Sequence, residues 1–372
     1  MVSPRTPRET PRKSSSSYHA FHGIPRGTPI VELKSLSEEL GCVILAKCEH
    51  LHPGGSGAFT LVPIRPLKDR AAHALVDHAI ASGELKPGGT IVQGTGGNTG
   101  VSLAMIAKSR GYKAHVCIPE NISPDKVDLL RMLGAEVTVC PCVPYTDPRS
   151  YMSMAASIAA STPGAAKPCQ FECIANADAH YKGTGAEIWA QTAGDVDGFV
   201  CAAGTGGTIG GVTRYLKEKR GDAIQTYLID PTGSGLKCFV ETGAFASAGG
   251  CFIDGIGIGR ETARSYLDWF PYDRANFRSA RVDGAFRGTD GEAIEMAYYL
   301  LRNEGIFVGP SAALNVVGAV KLARKLGVGS GKTVVTILCD GGERYRATTF
   351  NPEWLRRVHR IYTGSHTTAF AW

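Results

Sequence analysis

Gly204-Thr205-Gly206-Gly207-Thr208 decides the fold, because it follows the apolar run Phe199–Cys201 and opens the helical pattern Thr208–Lys219. A short apolar strand, a glycine turn and a helix, in that order, form the junction of a βαβ unit. Backbone N–H groups of such a loop converge on one place, and the helix dipole favours an anion there. The hydroxyls of Thr205 and Thr208 add two donors. A phosphate is the natural guest, with a plain glycine turn as the alternative. No Gly-Lys-Ser/Thr follows, which excludes a P-loop. No acidic residue stands at ribose distance, so the dinucleotide fingerprint lacks its context.

On either side of this junction, Val43–Cys48, Thr90–Gln93, Ala114–Ile118, Val137–Val139, Phe199–Cys201, Thr226–Ile229 and Thr333–Leu338 read as strands. Their unbroken apolar character predicts parallel sheets covered on both faces. Between them, Asp69–Ser82, Thr99–Arg110, Asp125–Leu133, Gly185–Thr192, Thr208–Lys219, Gly291–Asn303 and Ala312–Leu326 carry helical spacing. A second glycine-rich strand-to-helix turn is Thr95-Gly96-Gly97-Asn98-Thr99-Gly100. It offers short polar side chains and N–H groups suited to a carboxylate, or serves as an ordinary helix cap. Two such turns, more than a hundred residues apart, imply two α/β units facing one ligand.

Composition narrows the function classes. The chain has 372 residues, 43% hydrophobic and 20% charged, enough for a sizeable core and incompatible with global disorder. Its net charge of +6 is partly a tail effect: Arg5, Arg8, Arg12 and Lys13 outweigh Glu9 in residues 1–17, leaving the remainder near +3. That balance argues against nucleic acid as a partner. No apolar run is long enough to cross a bilayer. The Pro- and Ser-rich tail reads as disordered. It is a poor amphipathic presequence because Pro4, Pro7 and Pro11 interrupt it, so a cytoplasmic or mitochondrial setting is expected. The eleven cysteines are scattered without zinc spacing, so no metal is expected and most should be small buried apolar residues.

Two further segments gain meaning only together with the loops. Lys68 precedes an apolar-periodic helix in Pro66-Leu67-Lys68-Asp69-Arg70, where a lone lysine ordinarily faces solvent. Ser311 in Gly309-Pro310-Ser311 reads, by itself, as a helix cap.

Taken in order, these segments resemble the fold-type-II pyridoxal-phosphate enzymes of the cysteine synthase and cystathionine β-synthase family, over roughly residues 27–355. Further matching stretches are Gly27-Thr28-Pro29, Pro53-Gly54-Gly55-Ser56, Gly88-Gly89-Thr90, Gln170-Phe171, Thr184-Gly185, Asp254-Gly255-Ile256-Gly257 and Glu304-Gly305-Ile306. Glu187-Ile188-Trp189-Ala190-Gln191-Thr192 and Ala313-Leu314-Asn315-Val316-Val317 look most like the fungal cysteine synthases. The resemblance implies an α/β protein of two doubly wound domains with mainly parallel sheets, similar to the tryptophan synthase β fold, with the cofactor in the cleft between them. It implies a larger phosphate-binding domain (18–50 with 171–355) and a smaller substrate-carboxylate domain (51–170). Residues 1–17 and 356–372 would be tails.

The resemblance also implies roles. Lys68 would form the Schiff base with pyridoxal 5'-phosphate and Asn98 would hold its phenolic oxygen. Gly204, Thr205, Gly206, Gly207 and Thr208 would cradle the phosphate, and Ser311 would meet the pyridine nitrogen. Thr95, Gly96, Thr99, Gln170 and Gly257 would bind the substrate. Asp340 is a rival partner for the ring nitrogen and reads as structural. A serine hydroxyl cannot protonate the pyridine as a carboxylate would, which suits β-elimination, where charge departs with the leaving group. The expected reaction is O-acetylserine with sulfide, through an aminoacrylate, with Lys68 moving the Cα proton in a homodimeric enzyme. Related replacements (serine with homocysteine, cyanide as nucleophile, a specialised amino acid) and an inactive cofactor-binding homologue are the alternatives.

Two departures stand out. Eleven residues, Gly57 to Leu67, separate Ser56 from Lys68 where the family usually has one. The additional ten either bulge outward or displace the loop beside the cofactor. Gly96 stands where many members have serine, which predicts an altered substrate preference before lost activity.

Overall fold

The valine- and isoleucine-rich runs pair into two separate sheets in the computed structural model, which describes residues 27–51, 68–122, 124–143, 147–246, 251–253, 255–257 and 275–363. The basic tail, the Pro53–Ser56 motif, the insertion before Lys68 and Asp254 lie outside the described residues.

The larger sheet has the order β1-β2-β9-β6-β7-β8. Its strands are β1 (Ile30–Glu32), β2 (Val43–Lys47), β6 (Gly198–Cys201), β7 (Gln225–Pro231), β8 (Gly284–Gly288) and β9 (Thr333–Ile337). Only β1 runs antiparallel, on β2; the other pairings are parallel. The smaller sheet is β3 (Thr90–Gly94), β4 (Lys113–Pro119) and β5 (Glu136–Cys140), all parallel. The split places 90–140 in one sheet and the flanking strands in the other. Parallel strands need crossover helices, and the sequence supplies them. In order they are α1 (Lys34–Leu40), α2 (Lys68–Ala81), α3 (Asn98–Arg110), α4 (Pro124–Met132), α5 (Tyr151–Ser161), α6 (Ala175–His180) and α7 (Ala186–Gln191). Then follow α8 (Gly207–Arg220), α9 (Leu236–Thr242), α10 (Ala275–Arg278), α11 (Asp290–Tyr299), α12 (Pro310–Leu326) and α13 (Pro352–Thr363). The segment expected as a C-terminal tail from residue 356 thus begins inside α13.

Helix α12 shows how small residues set the site. Gly318 lets it press on the larger sheet, since a Cβ there would lie 2.9 Å from Ile229 Cβ and from Val200 Cγ2. The buried Asn315 amide donates to Ile337 O at 2.8 Å and its Oδ1 accepts from Ala202 N at 2.7 Å. It thereby satisfies backbone groups at two strand ends, just before the Gly204 loop. All eleven cysteines are free thiols, six of them buried. No helix of the described residues is long and apolar enough to cross a membrane.

Candidate functional site

The C-terminal ends of β3, β6 and β9 lead into three loops, and these carry most of the expected residues. The Gly204 loop follows β6 and starts α8 with Gly206, at φ 84°, as its N-cap; no side chain caps it. Side chains are excluded there by backbone. A Cβ on Gly204 would sit 2.2 Å from Gly255 O, and one on Gly206 2.6 Å from Phe277 Cα. The helix start is left to N–H groups and two threonine hydroxyls, an anion cradle. Gly257, at φ 77°, donates its N–H to Ala203 O at 2.8 Å, which joins it to the base of this loop.

Lys68 opens α2, partly buried. Burial pushes its amine below the usual lysine value, while Cys339 and Asp340 nearby pull the other way. Asp340, just beyond β9, is buried, and burial raises its carboxyl above the usual range against the pull of Tyr345, Arg344 and Asn98. It accepts from Tyr345 OH at 2.7 Å, Asn98 Nδ2 at 3.3 Å and Ser311 Oγ at 3.5 Å. Arg344 donates to Asn98 Oδ1. Lys68, Asn98 and Ser311 are therefore grouped around one carboxyl. Ser311 is not the helix cap: Gly309 takes that position and Pro310 the first turn.

Of the residues expected to meet the substrate, Thr95, Gly96 and Thr99 lie between the end of β3 and the first turn of α3. Thr95 Oγ1 accepts from Gly97 N at 3.2 Å, shaping the turn. Thr99 Oγ1 donates to Gln170 Oε1 at 2.8 Å, so those two expected residues meet. A Cβ at Gly96 would lie 3.0 Å from Ile122 Cδ1, so a serine there would need the isoleucine to give way.

The pyridoxal-phosphate dependent enzyme family matches residues 23–340. The chain belongs to it. A cysteine synthase of Dictyostelium discoideum is 45% identical over 90% of this chain and 87% of its own length. Cysteine synthase 1 of Neurospora crassa is 44% identical over 91% of this chain and 85% of its own. Among solved structures, an O-acetylserine dependent cystathionine beta-synthase from Helicobacter pylori superposes with TM-score 0.71 at 29% identity, covering 86% of this chain and 94% of that one. This is an enzyme of the cysteine synthase type that depends on pyridoxal phosphate.

The donor chemistry fits that cofactor: an amine shifted toward its neutral form suits an aldehyde, and an uncapped helix start with a glycine cradle suits a phosphate. Several residues around this candidate site carry no local signal in the sequence. His180 stands between Thr184 Oγ1 at 2.9 Å and Thr208 Oγ1 at 3.3 Å. Asn176 and Asn276 hold the Gln170 segment. Glu49 and Glu187 clamp Arg70, two residues after Lys68. Arg70 donates Nε to Glu49 Oε2 at 2.9 Å, Nη1 to Glu187 Oε1 at 2.6 Å and Nη2 to both carboxylates at 3.0 and 2.8 Å. Lys47 adds 2.7 Å to Glu187 and 2.6 Å to Thr28 O. This buried cluster ties the first turn of α2 to β2 and α7, so Lys68 has an anchor on its C-terminal side. Replacing Arg70 with Met is expected to cost about 3–5 kcal/mol, because the buried Glu49 carboxylate loses the guanidinium and the half-buried Glu187 is left with Lys47. Arg70→Lys should recover only part of it, lacking the planar fork. Urea unfolding midpoints of the two variants and the parent check this, and equal midpoints for Met and parent would contradict it.

Proposed function

We propose that this enzyme makes L-cysteine by β-replacement, exchanging the acetoxy group of O-acetyl-L-serine for sulfide and releasing acetate. The observation that carries the reading is Lys68: an amine shifted toward its basic form, opening a helix whose neighbours bring Asn98, Ser311 and Asp340 together. The cysteine synthases among its relatives, and a neighbour whose title names O-acetylserine, support the choice of substrate.

In this reading Asn98, Ser311 and the Gly204–Thr208 loop hold pyridoxal phosphate. The bound cofactor supplies an aldehyde for covalent capture of amines and an electron-withdrawing ring that acidifies the substrate Cα–H. Thr95, Gly96, Thr99, Gln170 and Gly257 take the amino-acid end of the substrate, with the carboxylate on the hydroxyls and N–H groups of the first loop. Lys68 Nζ takes the Cα proton, and the Cβ–O bond breaks as acetate leaves. Hydrosulfide then forms the Cβ–S bond, and Lys68 returns the proton to Cα. The larger and smaller sheets act as the two domains of the sequence reading, 18–50 with 171–355 and 51–170, in a homodimer.

The test is a visible absorption spectrum of the cofactor-loaded protein. O-acetylserine should move the band, and sulfide should restore it with formation of cysteine. A band that O-acetylserine leaves unmoved would refute the reading. Restoration by homocysteine but not sulfide would reassign the second substrate.

A further inference from the structure

Gln170 is held at both ends. Its side-chain Oε1 accepts from Thr99 at 2.8 Å, toward the loop after β3. Its backbone carbonyl accepts from Asn176 Nδ2 at 2.8 Å and from Asn276 Nδ2 at 3.1 Å. The same Asn176 Nδ2 donates its second hydrogen to Thr205 Oγ1 at 3.0 Å, in the glycine loop. Thr99, Gln170, Asn176 and Thr205 thus form one continuous run of hydrogen-bonded residues from the expected carboxylate site to the expected phosphate site. Asn176 and Asn276 are essentially buried, at 1% and 0% exposure, so a lost partner cannot be replaced freely by bulk water.

The start of α8 is shaped to admit the Asn176 side chain and the Asn276 backbone. A Cβ on Gly207 would meet Asn176 Oδ1 at 2.0 Å, and one on Gly210 would meet Asn276 O at 2.2 Å. Asn276 also accepts from Ala177 N at 3.0 Å and donates to Phe171 O at 2.8 Å, which backs the start of α6 against the Gln170 turn. Gly207 of the cradle therefore does more than admit an anion; it leaves the space in which Asn176 bridges.

We infer that Asn176 is a positioning residue that couples cofactor loading to placement of the substrate carboxylate, by making the glycine loop and the Gln170 backbone one unit. Ordering of the loop on a bound phosphate would be passed to Gln170, and by linkage an occupied carboxylate site would tighten cofactor binding. The inference rests on the assignment of those two loops above.

Hydrogen–deuterium exchange on the full chain, with and without pyridoxal phosphate, tests it without any substitution. Cofactor should slow exchange in peptides covering 203–209 and also in those covering 168–177. Asn176→Asp keeps the volume but removes both donated bonds. In that variant the cofactor should still slow 203–209 while protection of 168–177 is lost. The variant's cofactor dissociation constant should rise about tenfold, the loss of roughly 1.4 kcal/mol of interaction, and the KM for O-acetylserine should rise with it. Gln170→Ala, by contrast, should raise KM with little change in cofactor affinity. Unchanged exchange at 168–177 on loading of the parent protein would overturn the coupling, as would an Asn176→Asp variant with parental cofactor affinity and KM. Failure to develop a visible band at all would instead overturn the cofactor-site assignment, so the two failures are distinct.

Discussion

Lys68→Ala is expected to abolish the covalent attachment of pyridoxal phosphate and to lower turnover by at least roughly 10³-fold, within the range that a positioned proton-transfer group contributes. Both effects follow from one amine. In the proposed function it captures the cofactor's aldehyde and, once released by substrate, serves as the base toward Cα. The direction of its shift sets the pH dependence. Burial disfavours the ammonium, so the folded-state value lies below that of an ordinary lysine and the free amine persists to lower pH. Only the free amine captures an aldehyde or accepts a proton. Activity should therefore rise with pH through that lowered value and reach its plateau before an exposed lysine would deprotonate. A spectrum that keeps a lysine-linked band in the Ala variant, or turnover within tenfold of the parent, would remove Lys68 from the chemistry. The eleven residues before it, Gly57 to Leu67, make this measurement informative about the insertion as well. The Arg70 clamp gives Lys68 a fixed reference on the other side.

The second large effect is expected from one methyl group. Gly204→Ala would place a Cβ 2.2 Å from the Gly255 carbonyl oxygen and 3.2 Å from its carbon, both backbone atoms. Neither can rotate away as a side chain would, so the loop itself must shift. Misplacement of a site by about 1 Å costs on the order of 10²-fold, and that loss is expected in affinity for pyridoxal phosphate. Titration of the cofactor-free variant, followed by the visible band, measures it directly. Affinity within twofold of the parent would show that the Gly204 turn does not shape the phosphate site. Pyridoxal lacking the phosphate should be much less sensitive to the substitution, because the cradle then has no anion to hold.

The alternating pattern of strands and helices was legible because its causes are local. Val334 and Val335 in β9 are fully buried, as an unbroken apolar run requires when helices cover both faces. The glycine turns at 95–100 and 204–208 were legible for the same reason, since a chain that must reverse tightly and approach another backbone has few residues to choose from. Elements with weak local signals were missed. Strand β8, Gly284–Gly288, is a sheet edge with a glycine at each end, and α5, Tyr151–Ser161, is built from Ala, Ser and Met. β8 offers no apolar alternation, and the helical spacing of α5, carried by Tyr151, Met154, Ala155, Ile158 and Ala159, is diluted by small residues.

The family resemblance implied Lys68, Asn98, Thr205 and Ser311 as a set, with capture of an aldehyde and a phosphate as the chemistry expected of them. Their arrangement around Asp340, and the run from Thr99 through Gln170 and Asn176 to Thr205, belong to the tertiary structure alone. Asn176 meets a hydroxyl 29 residues away, and Arg70 meets a carboxylate 117 residues away. An asparagine or glutamate within a helix carries no local mark of such a role. Its worth comes from desolvation and from the direction of its donors and acceptors, and both are properties of where the chain has been brought, not of its neighbours in sequence.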